Sequence, residues 1–142
     1  MLTVLQATIL RPVGFMENFH IPHMKNRFLK GKLADPTVPD RRFQLISSGD
    51  IGAFAVAAFE NPEKYVVPDF DIASDELTNH EIAEVFSRVM GKSIQFNKLS
   101  MLIVRPFMGK ELYKMFQWIN ELGYDVDIPA LKQSFSEVEL TT

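Results

Sequence analysis

The sequence predicts an α/β fold, and three observations carry that reading. Val4–Leu10 and Phe70–Ala73 are short, mostly apolar runs of strand length, and amphipathic segments with helix caps separate and follow them, so strands and helices alternate along the chain. Val4, Leu5, Ile9 and Leu10 leave few polar groups on either face of the first run, the pattern of a parallel strand covered on both sides. Phe43–Ser47 and Ile94–Leu99 are further strand candidates and are expected to form a separate, smaller pair.

The elements follow in order. Pro12 and Gly14 are expected to stop the first strand, and Phe15 to Phe19 fits a helical turn. His20 to Pro39, with three prolines and a glycine, reads as a long loop. Asp50 is the expected N-cap of a helix whose inner face is Ile51, Phe54, Ala55, Ala58 and Phe59, ended by Pro62. Thr78-Asn79-His80-Glu81 is a capping box that opens a second helix, with Ile82, Val85, Phe86, Val89 and Met90 inward and Gly91 at its left-handed end. Lys110–Leu122 is predicted as a third helix, with Leu112, Met115, Phe116 and Ile119 inward and Gly123 closing it. Asp127 is expected to cap a last short helix that carries Ile128, Leu131 and Phe135.

Composition excludes several kinds of chemistry. The 142 residues include no cysteine, so there is no disulfide, thiolate nucleophile or cysteine-ligated zinc. No apolar run approaches the ~20 residues of a membrane span. The first residues show no basic region followed by a small-residue cleavage site, so no signal peptide is expected and a cytoplasmic address is the default. The net charge of −3 is unevenly spread: His20 to Arg42 holds Lys25, Arg27, Lys30, Lys32, Arg41 and Arg42 against Asp35 and Asp40. That segment is either a solvated surface or a loop that meets an anionic ligand or phosphate. Only Phe28 and Phe43 are interleaved with its charges, so nucleic acid is not expected.

The chain has no G-x-G-x-x-G turn, no Walker loop and no G-x-S-x-G elbow. His20 and His23 are spaced H-x-x-H, but Pro22 between them spoils a helical metal face, and no metal site is expected. His80, in the first turn of a capped helix, should face solvent. Glu63, Asp69, Asp71, Asp75 and Glu76 make an acidic surface run without a paired catalytic set. Leu112, Met115, Phe116 and Ile119, with Trp118, read as core and interface. The segment that stands out runs from Leu10-Arg11-Pro12 to Glu17-Asn18-Phe19, because it leaves the carboxyl end of a parallel strand, where open α/β sheets bind ligands.

That segment resembles the strand-end motif of the NmrA-like family, atypical relatives of the short-chain dehydrogenases. Further similarities follow in the same order along the chain: Asp50-Ile51-Gly52-Ala53-Phe54-Ala55, Asn61-Pro62-Glu63-Lys64-Tyr65, Ile72 to Thr78, Met115 to Tyr124, and Val126-Asp127-Ile128. The resemblance implies that residues 1–142 are the C-terminal portion of a Rossmann-type NmrA-like fold. Residues 1–19 would be a late Rossmann strand with a ligand-facing loop. Residues 20–142 would be a small α/β substrate or effector subdomain that includes the last core strand near 70–73. The half with the glycine-rich turn that holds NAD(P), and any Tyr-x-x-x-Lys pair, would be missing from this sequence.

By the same resemblance, the loop after Arg11 lies near the nicotinamide. Pro12, Val13, Gly14, Phe15 and Asn18 are then the cofactor-facing residues, and no catalytic residue is assigned. The function implied is the substrate- or effector-side half of a redox-sensing or regulatory NAD(P)-binding protein. The alternatives are part of an NAD(P)H-dependent oxidoreductase that acts on a small molecule such as a quinone, and a truncated product with no independent function. The chain alone is expected neither to bind NAD(P) nor to catalyse a reaction. Its expected partners are the missing Rossmann half or a second copy of itself, with a regulated protein as a further partner and no membrane.

Overall fold

The computed structural model describes residues 7–66 and 70–142. The chain forms two units. The first comprises Met1–Met16, Gln44–Asp75 and Val126–Thr142, and the second Glu17–Phe43 and Glu76–Asp125.

In the first unit, strand β1 (Leu10–Pro12) runs parallel to β5 (Phe70–Ile72), with Leu10 opposite Phe70 and Pro12 opposite Ile72. The two apolar runs are parallel strands as expected, but the first lies later than Val4–Leu10. Val4–Gln6 lie outside the described residues, Ala7–Ile9 are not strand, and the ladder extends through Pro12 instead of stopping before it. Parity explains why proline is tolerated. The bonds toward β5 come from Ile9, whose carbonyl accepts the Phe70 N–H at 3.1 Å, and from Val13, whose N–H donates to Ile72 at 3.2 Å. The missing N–H of Pro12 thus falls on the edge away from β5. Across the pair, Arg11 donates two hydrogen bonds to the Asp71 carboxylate at 2.9 and 3.2 Å.

Beyond Val13 the strands part. Strand β2 (Gly14–Phe15) runs parallel to β4 (Phe43–Ile46), with Gly14 opposite Leu45 and Phe15 opposite Ile46. Helix α2 (Ser48–Glu60) follows β4 and packs against β1. Its N-cap is Ser47, whose hydroxyl accepts the Asp50 N–H at 3.1 Å, so the expected cap at Asp50 is corrected by three positions. The expected inner face is corrected too. Asp50, Phe54 and Ala57 point inward, whereas Phe59 is 88% exposed. The helix is apolar nearly all round, so periodicity could not fix its phase, and the buried carboxylate of Asp50 was the unforeseen inward residue.

Helix α3 (Pro62–Tyr65) brings Tyr65 into the core beside Phe70 and Phe135, whose rings stack at 5.1 Å and which Phe54 also meets. The chain returns at Val126, where the Gln44 side chain accepts the Val126 N–H at 2.9 Å and donates to its carbonyl at 2.8 Å. The last helix, Ile128–Ser134, is capped as expected by Asp127, which accepts from Ala130 at 2.9 Å, and it buries Leu131.

The second unit corrects the long-loop reading of His20–Pro39. A 3-10 turn over Met16–His20 leads into α1 (Pro22–Leu29), and β3 (Lys32–Asp35) follows. Pro22 occupies the first turn of α1, where a missing N–H costs nothing. Gly31, at φ 73°, makes the turn into β3. β3 runs parallel to β7 (Gln95–Lys98), so the expected pairing of the 43–47 and 94–99 strands is wrong. Each of those strands has a parallel partner in a segment whose sequence reads as turn or loop.

Strand β6 (Asp75–Leu77) precedes α4 (Asn79–Met90), whose capping box is formed as expected: Thr78 Oγ1 accepts the Glu81 N–H at 3.2 Å, and Glu81 accepts the Thr78 N–H at 2.7 Å. Gly91 ends the helix in the left-handed conformation. Ile82 and Ala83 are buried and Phe86 stacks on Phe28 at 4.2 Å, while Val85 and Val89, expected inward, are exposed. Helix α5 (Met101–Glu121) contains the expected 110–122 helix as its second part, and Gly109 breaks it at φ 68°, ψ 161°. Of its expected inner face Ile119 is buried, whereas Leu112 and Met115 are exposed. Arg41 donates to the carbonyls of Asn120 and Leu122, satisfying the end of α5. The final helix, α6, is the Ile128–Ser134 segment of the first unit.

Candidate functional site

The first unit contains a fork at the carboxyl ends of parallel strands. Val13 makes the last direct bond between β1 and β5, and one residue later both extensions meet β4: Gly14 stands opposite Leu45, and Ser74 donates its N–H to the Leu45 carbonyl at 2.9 Å. The Ser74 hydroxyl lies 3.3 Å from the same carbonyl. Open α/β sheets bind ligands where strand order changes in this way.

Four of the five expected site residues come together here. Pro12 closes β1, Val13 is 3% exposed and spends its N–H on Ile72, and Gly14 and Phe15 form β2. Val13 is therefore a fixed core residue, whereas Phe15 is 41% exposed. Asn18 lies in the 3-10 turn and belongs to the second unit.

The neighbouring start of α2 is already committed. Ser47 takes the Asp50 N–H, and the Asp50 carboxylate accepts the N–H and hydroxyl of Thr141 at 3.1 and 2.9 Å. A carboxylate in the first turn opposes a bound phosphate, so this helix start is not built for a pyrophosphate. The fork presents the Phe15 ring, strand-end backbone and the Ser74 hydroxyl, which is turned toward the Leu45 carbonyl.

The remaining candidates are placed as follows. His20 and His23 are exposed, and no group of three metal-ligating side chains occurs among the described residues. His80 faces solvent as expected, with its ring edge-on to Phe96 at 5.8 Å. The basic segment is largely structural: Arg27 donates to the Ala34 carbonyl, Arg41 to the end of α5, and Arg42 to the Glu76 carbonyl at 2.9 Å. Trp118 lies edge-on to Tyr124 at 5.0 Å. No helix among the described residues is long and apolar enough to cross a membrane.

One polar cluster had no signal in the sequence. Glu137 accepts two hydrogen bonds from Lys64, at 2.8 and 2.9 Å, and one from the buried Tyr65 hydroxyl at 2.8 Å. The Lys64 ammonium, with further help from Tyr65, holds the Glu137 carboxyl down at about 2. Burial first, and then the same carboxylate, pushes the Tyr65 phenol above its ordinary range. Lys64 and Tyr65 are 73 and 72 residues from Glu137, too far apart for spacing to reveal the cluster.

The model of the NmrA-like family matches residues 3–141. No curated protein matches the sequence. Among solved structures, a nucleoside-diphosphate-sugar epimerase from Staphylococcus aureus is similar with a TM-score of 0.72 at 18% identity, over 94% of this chain and 48% of its own. The Citrobacter sp. triphenylmethane reductase complexed with NADP(H) is similar with a TM-score of 0.67 at 15% identity, over 93% of this chain and 48% of its own. A second structure of that reductase gives 0.66 at 15% identity, over 95% and 50%. The chain thus spans about half the length of the structures it matches.

Proposed function

Because this chain belongs to the NmrA-like family, we propose that it is the substrate- or effector-side portion of an NAD(P)-binding protein with a redox-sensing or regulatory role. The observation that carries the reading is the fork at Val13–Phe15. It offers Phe15 and strand-end backbone at the position where such sheets receive ligands. The likeness over about half of two longer α/β proteins supports placing the glycine-rich dinucleotide turn in sequence other than these 142 residues. The NADP(H)-bound reductase among the neighbours supports a second reading, part of an NAD(P)H-dependent oxidoreductase acting on a small molecule such as a quinone.

Calorimetric titration of the 142-residue chain with NADPH and NADH tests the first reading. No measurable heat is expected, and a micromolar dissociation constant for either nucleotide overturns it. In a protein that joins this chain to a dinucleotide-binding portion, Phe15→Ala is expected to weaken nucleotide binding. There, steady NADPH consumption with quinone acceptors decides for the oxidoreductase.

A further inference from the structure

We propose that the end of the second unit where α1 turns into β3 and α4 turns into β7 is a docking surface for an acidic segment of a partner protein. This inference does not depend on the dinucleotide reading.

The charge of the chain is segregated. Residues 18–34 and 85–110 contain four and five of its 15 lysines and arginines and none of its 18 acids, so the remainder holds six cations against all 18 acids. Both acid-free segments belong to the second unit. The parallel pairing of β3 with β7 brings them together, with Lys32 opposite Gln95. The two chain reversals meet beside that pair. The Gly31 carbonyl accepts the Gln95 N–H at 3.1 Å, and the Lys92 ammonium donates to the Leu29 carbonyl at the end of α1. Lys30, Lys32 and Lys92 therefore stand at one end of the unit, with Arg88 in the last turn of α4 and Lys25 one turn back along α1. All five are exposed. None forms an ion pair among the described residues.

The helix ends account for part of this charge, because Arg88 and Lys92 complement the carbonyl ends of α4 and α1. Lys30 and Lys32 have no such duty: among the described residues their ammonium groups make no hydrogen bond. Like charges gathered without counter-charges repel one another, and an anionic partner turns that repulsion into attraction. Three features select the partner. Leu29 is 56% and Val89 79% exposed in the same two turns, so the segment carries an aliphatic residue among its acids. No aromatic side chain in 29–33 or 88–93 gives a nucleobase a platform to stack on. A bilayer or a nucleic acid is anionic far beyond this end and also meets the field of the 18 acids, whereas a short acidic segment meets only the cations.

Fluorescence anisotropy with a short labelled peptide of Glu-Glu-Leu repeats, titrated with the 142-residue chain, tests the proposal. The peptide should bind, and more weakly as salt is raised. Lys30→Glu combined with Lys32→Glu should weaken binding by at least about tenfold, whereas Lys132→Glu, an exposed reversal on α6 of the first unit, should leave it within about twofold. Circular dichroism and thermal melts report whether the double reversal folds. If it does not, Lys30→Gln combined with Lys32→Gln, which removes charge without adding any, should still weaken binding. No binding at low salt, a loss under Lys132→Glu as large as under the double variant, or tighter binding of phosphatidylserine vesicles or of single-stranded DNA than of the peptide each overturns the proposal.

Discussion

The carboxylate of Asp50, in the first turn of α2, accepts both the backbone N–H and the hydroxyl of Thr141, 91 residues away, at 3.1 and 2.9 Å. The same residue donates its N–H to Ser47. A buried acid near the start of one helix therefore holds the returning end of the chain. Asp50→Ala is expected to destabilise by about 1–3 kcal/mol through loss of these charge-assisted bonds. Hydrogen exchange should show the Thr141 amide losing protection, and unchanged protection there would refute the assignment.

The capping positions make a separate prediction. Ser47→Ala and Thr78→Ala each remove a side-chain acceptor from a first-turn N–H. Each should lower stability by about 1 kcal/mol in chemical denaturation. An unshifted midpoint for both would mean that neither cap contributes.

Phe54 is fully buried between Phe70 and Phe135, whereas Val89 is exposed on α4. Phe54→Ala should lower stability by roughly 3–5 kcal/mol. Val89→Ala should stay within about 0.5 kcal/mol. Comparable losses for the two would show that the helix faces are misassigned.

Glu137 yields a pH dependence at the acid end. Its carboxyl is held at about 2, against an ordinary 4.5. A group depressed in the folded state stabilises fully above its unfolded value and loses that contribution as pH falls toward the folded one. Wild type should therefore lose stability between about pH 4.5 and 2 more steeply than Glu137→Gln. Tyr65 acts at the alkaline end: its phenol is raised above the ordinary 10.0, so its contribution is present below that pH and fades as pH rises beyond it. Unfolding midpoints that run parallel for wild type and Glu137→Gln across the acid range would contradict the coupling.

Two left-handed glycines should differ. Gly91, at φ 62°, has nothing within 4 Å of an added Cβ, so Gly91→Ala costs only the backbone penalty of about 1–2 kcal/mol. Gly31, at φ 73°, would set a Cβ 3.0 Å from the Ser93 carbonyl oxygen. Gly31→Ala should be the more destabilising of the two in thermal melts, and the reverse order would reject the close approach to Ser93.

The sequence showed most where local chemistry decides structure. The Thr78–Glu81 capping box, the Gly91 and Gly123 stops and the Asp127 cap rest on interactions within a few residues, and all four are present. Helix phase was readable only where polar and apolar residues alternate around the axis. The nearly uncharged α2 offered no such contrast, and Phe59 was placed on the wrong side. Proline misled in two places, because Pro12 lies within a strand and Pro22 at a helix start rather than, respectively, at a stop and in a loop. At the candidate site, the segment from Pro12 to Phe15 was legible from its position at a strand end. Its connection to Leu45, and through Leu45 to Ser74, was not, since nothing local encodes partners about thirty and about sixty residues away.

The interleaved route of the chain bears on how the protein is made. Residues 1–16 and 44–75 leave the ribosome early, but their unit also requires 126–142, which supply Phe135 to the aromatic core and Glu137 and Thr141 to its polar ties. The second unit needs only residues up to 125. Within these residues the unit that opens before the other closes after it. Until residues 126–142 emerge, Phe54 and Phe70 lack the Phe135 ring that covers them, and that apolar surface stays exposed.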